Sequence, residues 1–212
     1  MDTIVIIPAY NEEKTLPILL KKIDSEVYKL VVDDCSSDGT FQKTKNLCDK
    51  IIRLKNNSGV DNAINKGFEF ALKNKFKYII TIDADGQHDP KYIKIIKNLL
   101  RNNYDLVITQ RNNFPRISEK IFSLYSAHRF NVPDLLSGMK GYGYQLAKKY
   151  GAYDTINSIG TELSAFGIVN NYKYKLLKII VKDRKDTSRL GGILKGNFRI
   201  FKALKNLHCL KL

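Results

Sequence analysis

Short runs of β-branched and apolar residues, at 3–7, 29–32, 50–54, 78–82 and 105–109, alternate along the chain with segments of helical period. This alternation constrains the fold more than any other feature. Parallel strands must be joined by crossovers, and a helix is the usual crossover. The runs are continuously apolar rather than strictly alternating, as strands covered on both faces are. The pattern therefore predicts an α/β fold with a Rossmann-like, mostly parallel central sheet flanked by helices. In such sheets ligands bind beyond the carboxyl ends of the strands.

With 212 residues the chain can bury one sizeable core. Past residue 112 the pattern loosens: Pro115, Pro133 and the Gly-Tyr-Gly at 141–143 interrupt the helical text before a last strand expected at 174–181. Residues 1–192 are read as one domain, a nucleotide-binding half followed by an acceptor half. In 193–208, ILKGNFRIFKALKNLH, residues Ile193, Leu194, Phe198, Phe201, Leu204 and Leu207 fall near one helical face and lysines with Arg199 around the other. Residues 193–212 are thus expected to be a basic amphipathic helix or tail. Two readings fit it equally: packing on the domain, or lying in a membrane interface.

Charge and cysteine usage narrow the function classes. Thirty-six Lys+Arg against 21 Asp+Glu leave a net charge of +15, which favours an anionic partner or else marks a solubilising lysine surface. Cys35, Cys48 and Cys209 are odd in number and lack metal-ligand spacing, so neither a disulfide framework nor zinc is expected. The first apolar run begins at residue 3 with no basic stretch before it, so no leader is expected, and no apolar stretch reaches the ~20 residues of a span. A cytoplasmic protein with no transmembrane helix is the expectation. Nucleic acid is not an expected partner, because no recognisable binding motif is present and acids gather at the strand ends.

Those acids are the chemical signal. The expected strands end in PAYNEEKT, DDCSSDGT, DADGQHDP and QRNNFPR, so carboxylates and amides collect on one rim of the sheet. Carboxylates near a sheet are unfavourable unless cations or hydrogen bonds compensate them. Hard oxygen donors without His or Cys suit Mg²⁺ or Mn²⁺, and Asp83, Asp85 and Gln87 are the candidate ligands. Asp89-Pro90 reads as a helix cap. Taken alone, Asp83 and Asp85 are equally well read as turn residues.

Four pieces in fixed order, PAYNEE, VDDxSxDGT, NxGxxxAxNxG and DADGQH, lift the reading above a lone DxD. In them the chain resembles the inverting family-2 glycosyltransferases of the GT-A fold, in the branch of polyprenyl-phosphate (dolichyl-phosphate) mannosyl- and glucosyltransferases, from residue 3 to about 195. The resemblance implies that Pro8, Ala9, Tyr10 and Glu12 line the base and ribose of a nucleotide, with Asp34, helped by Asp33, completing the pocket. It makes Asp38 and Gly39 a turn, Asp83 and Asp85 a metal-binding pair with Ala84 between them on the substrate, and Gln87 an added ligand. It would make Asp85 catalytic through that metal, with His88 positioning the loop.

Residues 181–192, VKDRKDTSRLGG, resemble the family's late Arg-x-x-x-Ser-Lys/Arg segment. Arg184, as a catalytic cation, would act there on the diphosphate together with Ser188 and Arg189; a solvated loop is the competing reading. VPDLLSGMKGYG resembles an acceptor segment and implies Asp134, Ser137, Gly138 and Lys140, with Lys140 where the family has arginine. Arg111 matches an arginine of the family pattern; Arg129 follows nearby in sequence. The expected reaction is transfer of a hexose from a UDP- or GDP-sugar to a polyprenyl phosphate, on a protein peripheral to the cytoplasmic membrane face. With a hydroxyl acceptor instead, Asp134 is the candidate general base. A haloacid-dehalogenase-type phosphatase also uses Asp-x-Asp-Gly, but it leaves PAYNEE and VDDCSSDGT unexplained.

Overall fold

Among the described residues, seven strands form one sheet in the order β3-β2-β1-β4-β6-β5-β7. The computed structural model describes residues 1–182 and 193–211. The strands are β1 (Thr3–Ala9), β2 (Tyr28–Asp33), β3 (Lys50–Arg53), β4 (Tyr78–Thr81), β5 (Leu106–Gln110), β6 (Lys140–Gly143) and β7 (Tyr174–Lys178). The helices are α1 (Leu16–Lys22), α2 (Thr40–Thr44), α3 (Val60–Lys73), α4 (Lys91–Arg101), α5 (Ile117–Phe130), α6 (Tyr144–Tyr150), α7 (Glu162–Val169) and α8 (Ile193–Cys209). Every strand pair is parallel except the two made by β6.

The continuous apolar runs are explained by two covered faces. Ile4 and Ile6 of β1 join a core shared with Phe68, Phe122 and Tyr142. Val5, Ile7 and Ala9 of the same strand join the opposite core with Leu16, Leu20, Ile93 and Ile96. The first core lies under α3, α5, α6, α7 and α8, and the second under α1 and α4.

Strand β6 departs from expectation, because Gly-Tyr-Gly at 141–143 is not a break between helices. It runs antiparallel between β4 and β5. Gly141 is required by packing: a Cβ there would lie 2.3 Å from Ile96 Cγ2, so α4 presses directly on the strand. The last strand is shorter than expected and ends at Lys178.

The chain reverses direction across the sheet between β1 and β4. β2 and β3 lie to one side of β1, and β4 opens the other. That switch point leaves a crevice at the carboxyl ends of β1 and β4. Helix α8 packs along α5 and places Ile200, Ala203 and Leu207 in the core. No helix among the described residues is long and apolar enough to cross a membrane.

Candidate active site

The crevice opens into a cavity of about 670 Å³ at the switch point. Pro8, Ala9, Tyr10 and Glu12 from the end of β1, Asp34 from the end of β2, and Asp83, Ala84, Asp85 and Gln87 after β4 all line it. Arg111 lines it from beyond β5. These ten residues of the expected set are brought together by strand ends alone.

The first two loops are stitched to each other. The Asn11 side-chain carbonyl accepts the Ser37 N–H at 2.9 Å, and the Asn11 N–H donates to Ser36 Oγ at 3.0 Å. The Glu12 N–H donates to Thr40 Oγ1 at 2.8 Å. Asp34 reaches across to the third loop, where its two oxygens accept the Ser58 and Gly59 N–H groups, each at 2.8 Å. Gly59 has φ of +92°, which favours glycine, and it leads into α3. Asp34 therefore fixes the start of α3 against the cavity.

Asp33 differs from the expectation of a nucleotide contact. It is fully buried and does not line the cavity. Its Oδ1 accepts the Ser36 N–H at 3.0 Å and its Oδ2 faces Arg53 Nε at 3.3 Å. Successive residues of a strand point to opposite faces, so only one of two adjacent aspartates can face the ligand.

The acid loop after β4 is held from three sides. Asp85 Oδ1 accepts the Gln87 N–H at 3.0 Å, closing a turn through Gly86. Gln87 Nε2 donates to the Lys182 carbonyl at 3.1 Å, and the Lys182 N–H donates back to the Gln87 carbonyl at 3.0 Å. Asp83 lies against Gly138, where a Cβ would stand 2.0 Å from Asp83 Oδ2. His88 lies beneath, with Nδ1 3.7 Å from Asp83 Oδ2. Burial above all pushes the imidazole pKa down, with Asp83 opposing, so the ring is neutral near pH 7.

Among the described residues no three His, Cys, Asp or Glu side chains form a ready metal cage. Two carboxylates on one wall, with the remaining positions filled by phosphate oxygens and water, still fit the coordination habits of Mg²⁺ and Mn²⁺.

Beyond the end of β5, Arg111 is gripped by Asp134. Asp134 Oδ2 accepts the Arg111 N–H at 3.0 Å and Nε–H at 2.8 Å, and Oδ1 accepts Nη2–H at 3.0 Å. Arg111 Nη1 is also 3.7 Å from Glu119 Oε2, and Glu119 Oε1 accepts from Arg116 Nη1 at 2.7 Å. Asp134 is 2% exposed and is absent from the lining. With both oxygens engaged by one guanidinium, it cannot take a substrate proton without breaking that pair.

Ser137 and Lys140 also stay out of the cavity lining. The Ser137 hydroxyl bonds Thr109 Oγ1, and Lys140 Nζ donates to the Gly160 carbonyl at 2.6 Å. Burial is the main reason that the lysine pKa falls to about 8. Its strand position turns it into the core beside Tyr142, so a phosphate-holding role does not fit. Arg184, Ser188 and Arg189 lie outside the described residues.

Sequence reasoning missed Asp61, Arg116, Glu119, Tyr153 and Arg199, all on the lining. Asp61 stands in the first turn of α3, and burial first, then Asp154, raises its pKa to about 6 against the pull of Arg199, whose Nη2 is 3.5 Å away. The signal for Asp61 was an acid at a helix start. Arg199 had none, because it arrives from α8, far along the chain.

Over residues 4–159 the chain matches the family model described as Glycosyl transferase family 2. It is 37% identical over 160 residues to an uncharacterized protein of Methanocaldococcus jannaschii, covering 68% of this chain and 66% of the other. It is 28% identical to a polyprenol monophosphomannose synthase of Mycolicibacterium smegmatis (69% and 63% covered). The match to a dolichol-phosphate mannosyltransferase of Pyrococcus furiosus is 35% over 120 residues (52% and 33% covered). The chain thus spans less than two thirds of the length of these relatives.

Among solved structures, glucosyl-3-phosphoglycerate synthase from Mycobacterium tuberculosis with Mn²⁺, uridine diphosphate and glucosyl-3-phosphoglycerate superposes with a TM-score of 0.72 at 18% identity. That superposition covers 99% of this chain and 81% of that one. At such identity the likeness establishes the GT-A fold.

Proposed function

Because the chain belongs to the family-2 glycosyltransferases, we propose that it moves a hexose from a UDP- or GDP-sugar to a polyprenyl phosphate, with inversion at the sugar carbon and Mg²⁺ or Mn²⁺ as cofactor. One observation carries the reading: two carboxylates, Asp83 and Asp85, and two guanidinium groups, Arg111 and Arg116, line a single cavity. A departing diphosphate and an anionic acceptor can both be held within it. The names of the mycobacterial and archaeal relatives support a polyprenyl phosphate acceptor. The Mn²⁺ and uridine diphosphate in the solved neighbour support the donor and the cofactor.

In this reading Pro8, Ala9, Tyr10 and Glu12 hold the base and ribose, and Asp34 shapes that pocket by fixing Ser58 and Gly59. Asp83 and Asp85 would hold the cation, and Gln87 would add its amide oxygen, since its amide nitrogen donates to Lys182. A divalent cation bound there supplies charge that stabilises the developing negative charge on the diphosphate. Arg184, Ser188 and Arg189 would donate to the same diphosphate. The paired bonds between Gln87 and Lys182 anchor the chain just before that segment to the acid loop.

Arg111 would orient the acceptor phosphate, with Asp134 holding the guanidinium in a fixed plane. Asp134 then positions Arg111 and does not act as a base. A phosphate monoester is already an anion near pH 7 and needs little help from one. The engagement of Asp134 thus favours a phosphate acceptor over a hydroxyl. The phosphatase alternative lapses with the family match.

The test incubates purified protein with Mn²⁺ or Mg²⁺, radiolabelled UDP- and GDP-hexoses and a polyprenyl phosphate, and follows label into the organic phase. Transfer is expected to need metal and to be lost in Asp85→Ala with folding retained. Undiminished transfer in excess chelator would overturn the metal role. Label appearing only on soluble sugar would overturn the acceptor.

A further inference from the structure

The outward sides of α5 and α8 carry an apolar surface that the proposed chemistry does not use. On α5, Ile117, Ile121 and Leu124 are exposed, the last at 74%. On α8, Leu194, Phe198 and Phe201 are exposed, at 86%, 74% and 42%. Both sets follow the spacing i, i+4, i+7, which draws one stripe along each helix. Six of the eleven large hydrophobics that are exposed among the described residues fall on these two helices. Scattered singly they would need no explanation, but a concentration of this kind marks an interaction surface.

Hydrogen bonds set the two helices side by side. The Ser118 N–H donates to Asn197 Oδ1 at 3.2 Å near the start of both helices, and Arg129 Nη1 donates to the His208 carbonyl at 3.2 Å near their ends. The helices therefore run in the same direction, with Phe198 between the levels of Ile117 and Ile121 and Phe201 between those of Ile121 and Leu124. Ile200, Ala203 and Leu207 of α8, and Phe122 and Phe130 of α5, face inward. The choice between packing on the domain and facing a lipid surface is not exclusive, since α8 has an apolar side for each.

The polar residues on the outward faces have one sign. Lys120, Lys195, Lys202 and Lys205 are exposed there. Helix α8 contains no acidic residue, and the single acid of α5, Glu119, is turned into the protein at 4% exposure. The same two helices border the cavity through Arg199 and Glu119, with Arg116 just ahead of α5.

We propose that the outward faces of α5 and α8 form a docking surface for an anionic membrane, with the apolar stripes entering the headgroup region and the lysines meeting lipid phosphates. The surface deepens the lipid-acceptor reading by stating which side of the protein meets the lipid. Its test does not depend on that reading, because the vesicles contain no polyprenyl phosphate.

Vesicles of phosphatidylcholine, alone or mixed with phosphatidylglycerol, are sedimented with the full chain. Binding is expected to be stronger to the mixed vesicles and to weaken with salt. Leu124→Asp combined with Phe198→Asp should lower the partition coefficient roughly tenfold or more. Reversal of Lys195, Lys202 and Lys205 to glutamate should remove the preference for anionic vesicles. Ile18→Asp, an exposed position on α1, should bind like the parent.

Equal binding to both vesicle types would overturn the proposal, as would parental binding by the double variant with native folding by circular dichroism. A homodimer dissociated by the double variant, with no vesicle binding, would instead assign the surface to a second copy. Transfer to detergent-dispersed polyprenyl phosphate without vesicle binding would overturn this surface and leave the acceptor reading intact.

Discussion

Replacing Gly138 by alanine tests how tightly the acid pair is held. The added Cβ would lie 2.0 Å from Asp83 Oδ2, 2.5 Å from Cγ and 2.6 Å from Oδ1. Real Cβ contacts do not close below 3.0 Å, so the carboxylate must retreat by at least about 1 Å. It has room to do so, because the Asp83 side chain is 35% exposed. Stability should then change little, with the unfolding midpoint within a few degrees of the parent.

Function should not be spared. Mg²⁺ requires oxygen ligands at about 2.0–2.1 Å in near-octahedral geometry, and a misplacement of about 1 Å at a reacting site lowers rates by about 10². That factor corresponds to about 2.7 kcal/mol on the barrier. The assay is steady-state sugar transfer at saturating donor with a Mn²⁺ titration, beside thermal unfolding of the same preparation. A variant that folds, transfers at the parental rate and needs no more Mn²⁺ would refute the assignment of Asp83 to the metal.

Three further outcomes follow from the geometry. Asp134→Ala should remove the hydrogen-bonded carboxylate of Arg111, leaving Glu119 at 3.7 Å and the Phe114 ring; urea unfolding should show a loss of about 3 kcal/mol, with a raised KM for the acceptor before the donor. Asp34→Ala should remove the acceptor of two N–H groups, lowering stability by about 2 kcal/mol and raising the KM for the nucleotide sugar. Asp61 has a folded pKa of about 6 against an ordinary value of 3.8, so the folded state binds more protons than the unfolded one between those values. Stability should therefore decline as pH rises from about 4 to about 6. In Asp61→Asn that decline should shrink by about 2 kcal/mol, measured by denaturant unfolding at the two ends of the window.

Much of this was legible because strand text and strand-end loops are local. Ile4 to Ile7 is apolar without interruption since β1 is covered on both sides. The loops PAYNEE, VDDCSSDGT and DADGQH converge because parallel strands present the same end. What stayed hidden depended on orientation and on distant chain. Lys140 and Tyr142 share one side of β6 while Gly141 meets α4 on the other, so a motif lysine turns into the core. Strand β6 itself was obscured because its glycines, normally a sign of turns, allow close packing. Arg199 reaches the cavity only because α8 folds back along α5, a pairing written in no local spacing.

The antiparallel insertion of β6 also bears on how the chain matures. Thr81 of β4 and Ile108 of β5 both pair with Lys140. Until residues 140–143 leave the ribosome, both strands present bare backbone edges at the centre of the growing sheet. Such edges recruit other chains. A fragment ending before residue 140 should accordingly be prone to self-association, even though it contains the whole acid loop from Asp83 to Gln87.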